Sequence, residues 1–263
     1  DELQAYVDDH NLDILGIFET WFSEKSSVVL HNYKLYRADR NGIGGGVALY
    51  TRESLNTFEI HYDILNDRDI EQVWCMYSSN IEKILVGCIY RPPLSNQLYN
   101  IKLNSVIRFA SSLLSSNAIC GLLIMGDFNY SNLTWDVFGP GQRVASNEHE
   151  LEFLDILIDN NLYQCINFPS FIKNNEHEPQ NYLDLVISDR QERIAILRNS
   201  PPLGNTERGR GHLVIEWEYI LRNKREQVNT GRKFNYRKGD YESITDHLLK
   251  INWQVLFRNE PIT

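Results

Sequence analysis

The sequence predicts an α/β (α+β) fold in which two mixed β-sheets pack face to face, with helices on the outer faces, as a four-layer sandwich. The chain has 263 residues, of which 42% are hydrophobic, and this is enough for one large core. Strand-like segments follow one another with few helices between them, which argues against a strictly alternating βαβ fold. Three later segments carry apolar residues at helical spacing and are suited to cover a sheet.

The first third of the chain contains mostly strand signals. Leu3, Tyr6 and Val7 are apolar at helical spacing, so we predict an opening helix over residues 1–10. Short apolar or alternating segments then predict strands at 12–18, 33–37, 46–51, 72–77 and 84–90. The glycine-rich segment 42–46 superficially resembles a phosphate loop, but no Lys-Ser/Thr pair follows it, and it indicates a tight turn.

Helices and strands both occur in the rest of the chain. Apolar residues three to four positions apart predict helices at 97–115, 148–160 and 241–251. The apolar run 122–125, bounded by glycine, is typical of a strand covered on both faces, and further strands are predicted at 183–188, 194–197 and 213–217. We place a boundary near residue 220, between a globular domain (1–220) and a basic connector with a helix (221–263).

Composition excludes several classes of protein. The sequence has no apolar stretch long enough to span a membrane and no signal-peptide pattern, so we expect an intracellular protein that does not contact membranes. Its cysteines contain no CxxC pair and are typical of buried free thiols in a reducing compartment. They are Cys75, Cys88, Cys120 and Cys165.

The net charge of −9 is unusual for a protein that binds nucleic acid, because phosphate binding draws on Lys and Arg. The charge is unevenly distributed, since seven basic residues and one acidic residue lie between positions 221 and 238. Such a stretch is typical either of a solvated linker or of a nucleic-acid contact. A metal-dependent nuclease must also keep carboxylates at its site, so an acidic total does not exclude one.

The turn Gly126-Asp127-Phe128-Asn129 places a carboxylate and a carboxamide two residues apart at the end of a predicted strand. Asp127 can orient or deprotonate a water molecule, and Asn129 can donate to a phosphate oxygen without adding a repelling charge. Asp and Asn are also favoured in turns, because their side chains hydrogen-bond the local backbone. The turn alone leaves both a structural role and phosphate-ester hydrolysis open.

Four other polar side chains lie at strand ends or inside a strand. Glu19 ends the first predicted strand, where a carboxylate suits a hard cation such as Mg²⁺. Tyr90 ends the strand 84–90, and its phenol can donate to a phosphate. Asp184 lies inside an apolar strand and needs a partner, for which His212 is the natural candidate. Each also has an ordinary alternative, as an exposed loop carboxylate, a rim aromatic or a structural histidine.

Taken in order, these positions resemble the exonuclease-endonuclease-phosphatase superfamily, most closely the apurinic/apyrimidinic-like endonuclease domain of non-LTR retrotransposons of the jockey and CR1 kind. The segments that carry the resemblance are DILGIFETW at 13–21, GGGVALY at 44–50, VGCIYRPP at 86–93, LIMGDFN at 123–129 and LDLVI at 183–187. The resemblance spans residues 1 to about 217. Residues 234–241 resemble the connector that leads to a reverse transcriptase, which is absent from this chain.

The resemblance implies a DNA endonuclease that requires Mg²⁺, or Mn²⁺ in its place, and nicks target DNA to leave a 3′-hydroxyl for reverse transcription. It implies that Glu19 binds the metal and that Tyr90 contacts the scissile phosphate. Asp127, with Asn129 beside it, would activate water. Asp184 would orient His212, which stabilises the developing negative charge. The implied partners are DNA, RNA and the element's own reverse transcriptase domain, in the nucleus.

The chain departs from the family pattern at two points. The family carries an Asn on a strand before the opening helix, and we expect that first strand of the sandwich to be missing here. Gly211 stands where the family has an Asp beside the histidine, and Glu207 is a candidate for a displaced carboxylate. These departures suggest a truncated or decayed copy. The alternatives are a phosphoesterase of the same superfamily acting on lipid or inositol phosphates, and a non-catalytic nucleic-acid-binding remnant.

Overall fold

The computed structural model describes residues 2–42, 44–133, 135, 147–173, 181–204, 211–222 and 240–253. The chain divides into two compact units, Asp1–Arg222 and Asn223–Thr263. The first unit contains every described strand. In the second, the described element is helix α4 (Tyr241–Lys250), whose first turn is capped because the Asp240 carboxylate accepts a hydrogen bond from the backbone N–H of Ser243 at 3.0 Å. The assignment of residues 221–263 as a connector stays a prediction.

A three-stranded antiparallel sheet and one helix form two layers at one side of the first unit. The helix α1 (Glu2–Asp9) precedes β1 (Ile14–Phe18), β2 (Tyr33–Ala38) and β3 (Val47–Arg52), and the strand order is β1-β3-β2. Val7 of α1 is fully buried against the outer face of this sheet, in a cluster with Tyr33, Ala48 and Tyr50. The predicted opening helix therefore buries its apolar stripe on the sheet that follows it.

A six-stranded mixed sheet forms the centre of the unit. Its strands are β4 (Thr57–Glu59), β5 (Glu71–Ser78), β6 (Lys83–Tyr90), β7 (Gly121–Asp127), β8 (Tyr163–Gln164) and β10 (Asp184–Ser188), in the order β4-β5-β6-β7-β10-β8. β6 and β7 pair in parallel and the other pairs are antiparallel. Every residue of β7 is buried, which is why its sequence is a continuous apolar run.

Two helices cover the outer face of the six-stranded sheet. The helix α2 (Gln97–Ser115) makes the crossover between the parallel strands, and α3 (Glu148–Asp159) packs beside it. Each begins at an asparagine cap: the Asn96 side chain accepts from the N–H of Tyr99 at 2.9 Å, and Asn147 from that of Glu150 at 3.0 Å. Their apolar stripes meet Leu85, Ile124 and other sheet residues in one core.

The inner face of the six-stranded sheet packs against the three-stranded sheet and a hairpin. Val86, Cys88 and Met125 lie in a second core with Val47 and Leu49 of β3. The hairpin pairs β11 (Ile194–Ser200) with β13 (Val214–Tyr219), and β9 (Phe171–Ile172) pairs with β12 (Gly211–His212). The layers follow one another as α1, the three-stranded sheet, the six-stranded sheet, and α2 with α3. This order confirms the predicted four-layer sandwich. Within the described residues, the parallel pair is confined to the six-stranded sheet.

The cysteines in this fold are all free thiols. Cys75 and Cys88 are buried as predicted, whereas Cys120 and Cys165 are partly buried. No helix in the described part of the chain is long and apolar enough to cross a membrane.

Candidate active site

Register across four neighbouring strands brings the candidate side chains into one row. Glu71 on β5 lies opposite Tyr90 on β6, Tyr90 opposite Asp127 on β7, and Asp127 opposite Asp184 on β10. Residues directly opposite one another on paired strands lie on the same face of the sheet. The structure therefore brings together three residues that the sequence singled out separately, and it adds Glu71, which the sequence reasoning missed.

The turn after β7 is held by its own side chains. The Asn129 side-chain amide donates to Asp127 Oδ2 at 2.7 Å and to the Arg91 carbonyl at 2.9 Å, and the Asn129 backbone N–H donates to Asp127 Oδ1 at 3.0 Å. Asn129 has a φ of +51°, a conformation that Asn tolerates better than most residues. Both Asp127 oxygens are thus oriented, which suits a carboxylate that must position water. The same hydrogen bonds also stabilise the turn itself, which is the structural role that the sequence left open.

Asp184 and His212 form a hydrogen-bonded pair. His212 Nδ1 lies 2.9 Å from Asp184 Oδ2 and 3.0 Å from Oδ1. The Asp184 backbone N–H donates to the Oγ of the fully buried Ser170 at 3.0 Å, which fixes the carboxylate's strand. Phe18 and Phe171 flank the imidazole at ring distances of 5.9 Å and 4.8 Å. His212 is therefore the partner of the buried Asp184, as the sequence predicted.

His212 also faces Asp127. Its Nε2 lies 3.7 Å from Asp127 Oδ2, beyond hydrogen-bond distance. Burial lowers the pKa of His212, but the hydrogen bond and charge of Asp184, with Asp127, outweigh burial and raise the pKa to about 9. Burial and the Asp184 charge raise the pKa of Asp127 to about 8, although His212 and the Asn129 N–H oppose this. The histidine is therefore held as a cation at neutral pH.

Glu19 enters the site from the other sheet. It follows β1 in a left-handed conformation, with φ +52°, and its Oε1 accepts a hydrogen bond from the Tyr90 hydroxyl. Burial and this hydrogen bond raise the pKa of Tyr90, so the phenol stays a proton donor. The Glu19 carboxylate is also close enough to Asp127 to help raise that residue's pKa. The contact joins the three-stranded and six-stranded sheets at the site.

The donor set fits a hard divalent cation. Ligand atoms of Asp127, Asp184 and His212 all lie within 4.8 Å of one another. His212 is already hydrogen-bonded to Asp184, however, and Mg²⁺ prefers oxygen ligands, so we regard these two as a pair rather than as metal ligands. Glu19 and Asp127 supply hard oxygen atoms, and their mutual repulsion would be relieved by a positive charge. These two carboxylates are the best candidates to hold the metal.

Two arginines support the site and were not predicted as site residues. The Arg91 guanidinium is buried and donates to Asn100 Oδ1 at 2.8 Å and to the carbonyls of Phe128 and Asn129 at 3.2 Å and 3.3 Å. Its Cζ also lies 4.1 Å from the Tyr130 ring centroid. The position of Arg91, directly after a buried strand, was the only sequence signal for its role. Two of its hydrogen-bond acceptors are backbone carbonyls, which a pattern of side chains does not reveal.

Arg40 is the second supporting arginine. It pairs with Glu71 Oε1, and its Cζ lies 5.9 Å from the centroid of the Tyr90 ring. Glu71 in turn accepts a hydrogen bond from the Gly46 N–H at 2.5 Å, so the glycine-rich turn is tied to the site. The segment 42–46, of which residue 43 lies outside the described residues, is part of the longer connection from Ala38 to Val47 rather than the predicted tight turn.

The second departure from the family pattern concerns Gly211 and Glu207. Gly211 has φ +123°, and no heavy atom of the described residues lies within 4 Å of the position of its missing Cβ. Glu207 lies outside the described residues, as does most of the basic stretch, residues 223–239. Among the described residues, no carboxylate replaces the one that the resemblance leads us to expect at position 211.

An ion-pairing His-Asp couple, an oriented Asp-Asn turn and a carboxylate facing them define a class of hydrolases that use a divalent metal. The sequence matches the Endonuclease/Exonuclease/phosphatase family over residues 1–205, and the chain belongs to this family. The family assignment confirms the resemblance read from the five motifs. No curated protein matches the sequence significantly.

Solved structures share the fold at low sequence identity. The endonuclease domain of TRAS1, a telomere-specific non-LTR retrotransposon, is 14% identical, with a TM-score of 0.59, and the match covers 84% of this chain and 92% of that one. A Neisseria 3′ phosphatase, NExo, bound to a product DNA hairpin, is 13% identical with a TM-score of 0.61, over 83% and 93%. An AP endonuclease from Archaeoglobus fulgidus is 14% identical with a TM-score of 0.54, over 82% and 92%.

Proposed function

We propose that this protein is a Mg²⁺-dependent DNA endonuclease that hydrolyses a phosphodiester bond and leaves a 3′-hydroxyl. The observation that carries the proposal is the convergence of four side chains near the ends of β7 and β10, with Glu19 facing them from the second sheet. The four are Asp127, Asn129, Asp184 and His212. These groups supply what such hydrolysis needs: a base for water, a donor for the developing charge and ligands for a cation.

Asp127 is placed to align and deprotonate the attacking water. Asn129 holds both of its oxygens, so the carboxylate has one orientation. Burial and the neighbouring Asp184 charge raise the pKa of Asp127, which makes its carboxylate form a stronger base than an exposed aspartate.

His212 is placed to stabilise the negative charge that develops on the phosphate. Asp184 holds Nδ1, so the proton on Nε2 points into the cleft. With its pKa raised to about 9, the imidazole is a cation at neutral pH and can donate to a phosphate oxygen. Tyr90 contacts the phosphate from the neighbouring strand with a phenol that stays protonated. Its single hydroxyl proton is donated to Glu19, so it donates to a phosphate oxygen only when it exchanges that hydrogen bond.

Glu19 and Asp127 would hold the divalent cation, Mg²⁺ or Mn²⁺, which when bound neutralises the phosphate and polarises its oxygens. Glu19 is kept in place by the Tyr90 hydroxyl, and it lies on a different sheet from Asp127. The phosphate contact and the metal ligand are thus coupled through one hydrogen bond.

DNA is the proposed substrate because of two supporting observations. The sequence motifs resemble retrotransposon endonucleases, and the structures that share the fold include a retrotransposon endonuclease domain and an enzyme bound to DNA. On this proposal the chain nicks target DNA in the nucleus to prime reverse transcription. Residues 221–263 then lead towards a reverse transcriptase, with the element's RNA as a further partner.

Nicking of supercoiled plasmid in the presence of Mg²⁺ tests the proposal. Wild-type protein should convert supercoiled to open-circular DNA, and Asp127→Ala or His212→Ala should each reduce the rate by about a hundredfold or more. Asp155→Ala is the matched control, because Asp155 is exposed on α3 in the outer layer. It should nick at the wild-type rate.

Other outcomes identify the alternatives. Equal background nicking by wild type and both site variants would reject catalysis and favour a decayed copy or a non-catalytic binder. Release of inorganic phosphate from an inositol phosphate, without nicking, would favour the phosphoesterase of the same superfamily. Nicked product that DNA polymerase cannot extend would contradict the proposed 3′-hydroxyl.

A further inference from the structure

We propose that the indole of Trp21 is a stacking platform for a nucleobase beside the scissile phosphate, an inference that rests on the proposed action on DNA. Trp21 is 65% exposed and lies two residues after Glu19, the candidate metal ligand. A tryptophan is usually buried for most of its surface, so its exposure at the rim of a polar cleft calls for a ligand.

The backbone holds Trp21 in this exposed position. Glu19 and Trp21 both have left-handed backbone conformations, with φ +52° and +55°, which non-glycine residues rarely adopt. The Trp21 N–H donates to the Gly45 carbonyl at 2.9 Å, and the Thr20 N–H donates to the Gly46 carbonyl at 3.2 Å. The segment is therefore tied to the glycine-rich turn at consecutive positions, and the indole is presented by a fixed backbone rather than by a free loop.

The glycine-rich turn lies beside the indole and also beside Arg40. A Cβ at Gly44 would lie 3.8 Å from two indole atoms and 4.0 Å from Nη1 of Arg40. A Cβ at Gly45 would collide with Arg40 and with Glu71. Arg40 is anchored by Glu71 and lies over the ring of Tyr90, the candidate phosphate contact. The glycine-rich turn therefore borders both the indole and the arginine that lies over Tyr90.

An exposed aromatic ring beside an anchored guanidinium matches the chemistry of a nucleotide. Aromatic side chains stack on any base, because every base has a π-face, and a neighbouring arginine meets the phosphate charge. Arg40 is ion-paired with Glu71, so the exposed ring of Trp21, rather than free positive charge, is what the site offers to a nucleotide.

Binding of single-stranded probes in EDTA tests this inference without cleavage. The probes are an oligothymidylate of about 12 nucleotides and an abasic sugar-phosphate chain of the same length, since stacking is tolerant of base identity. Wild type should bind the oligothymidylate about tenfold more tightly than the abasic chain. Trp21→Ala should bind both probes with the weaker affinity, and Trp21→Phe should keep most of the preference.

Phe58→Ala is the matched control, because Phe58 is 45% exposed on β4, which pairs with the far end of β5 from Glu71. It should behave as wild type. The inference is overturned if wild type shows no preference for the probe with bases, or if Trp21→Ala keeps that preference. A protein with the Trp21-dependent preference that nicks no plasmid would refute the proposed nuclease while the stacking site stands. A protein that nicks plasmid but shows no preference for the probe with bases would refute the stacking site while the proposed nuclease stands.

Discussion

At the scale of single residues, the Asp184–His212 pair makes the stability of the protein depend on pH. The pKa of His212 is raised from 6.5 to about 9, because the Asp184 contact outweighs burial. Since the folded-state pKa is higher than the unfolded one, the stabilisation is fully present below about pH 6.5 and is lost as the pH rises through about 9. We expect His212→Gln to lower the free energy of unfolding by about 2 kcal/mol near pH 6, allowing for partial exposure of the ring.

Urea denaturation of wild type and His212→Gln measures this difference at about pH 6 and about pH 10. The difference should shrink towards zero at the higher pH. In an Asp184→Asn background this pH dependence should be much smaller, because the hydrogen bond and charge of Asp184 are lost and only Asp127 and Glu19 remain to oppose burial. His31→Gln is the control, since His31 is exposed. A difference that does not change with pH would show that the charge of His212 adds nothing to stability.

Individual site residues differed in how far the sequence could predict them. The buried Asp184 and its partner could be paired from the sequence, because a carboxylate in an apolar strand requires a partner and few are available. Arg91 could not be assigned in the same way, since it binds the carbonyls of Phe128 and Asn129, and backbone acceptors leave no mark on the sequence. Glu71 was missed because its position opposite Tyr90 depends on strand register.

At the scale of elements, the pairing of β6 with β7 requires a glycine at position 126. A Cβ there would lie 1.8 Å from the carbonyl oxygen of Ile89 on β6, so the backbones must move apart to accept it. We expect Gly126→Ala to destabilise the fold by about 3 kcal/mol, as overpacking does in a rigid core. It should also reduce nicking, because the displaced strand end carries Asp127.

The free energy of unfolding from urea denaturation checks this prediction, with Gly204→Ala as its control. Gly204 also has a positive φ, +85°, but no heavy atom in the described part of the chain lies within 4 Å of the position of its Cβ. The free energy of unfolding of Gly204→Ala should fall by only about 1 kcal/mol, because the alanine is strained by the positive φ but clashes with no described neighbour. Equal losses in the two variants would mean that the strand pair accepts the methyl group and that its close approach is not required.

The long elements could be predicted from the sequence and the short ones could not. The apolar run of β7 and the helical spacing of α2 are patterns that extend over several turns or residues, and the structure has both where we predicted them. β8, β9 and β12 have two residues each, too few to show a period, and form because longer neighbours supply their pairing partners or fix their place. The β9–β12 pair nevertheless places His212, so a short element determined part of the site.

At the scale of the whole molecule, the site is assembled between two sheets that carry like charges. Glu19 follows a strand of the three-stranded sheet and Asp127 ends a strand of the six-stranded sheet, and the Glu19 charge helps to raise the pKa of Asp127. The hydrogen bond from Tyr90 to Glu19 holds the sheets together at this point without removing the repulsion.

We therefore expect Mg²⁺ to stabilise the whole fold and not only to support cleavage. A ligand that binds only the folded state at ten times its Kd adds about 1.4 kcal/mol, which corresponds to a rise in Tm of about 3–5 °C for a chain of this size. Thermal unfolding in MgCl₂, compared with NaCl of equal ionic strength, measures the rise and removes general screening of the acidic chain.

Glu19→Gln separates metal binding from other effects of the salt. It removes the charge that pairs with the cation but keeps an oxygen that accepts from Tyr90, so the rise in Tm should largely disappear while the metal-free protein stays folded. Without its repulsion of Asp127, the variant should be at least as stable as wild type in EDTA. Glu24→Gln, an exposed glutamate in the same loop, should keep the full rise. A rise of equal size in Glu19→Gln would place the cation elsewhere, and the two sheets would then be joined at the site by the Tyr90 hydrogen bond and by their shared apolar core, without a metal.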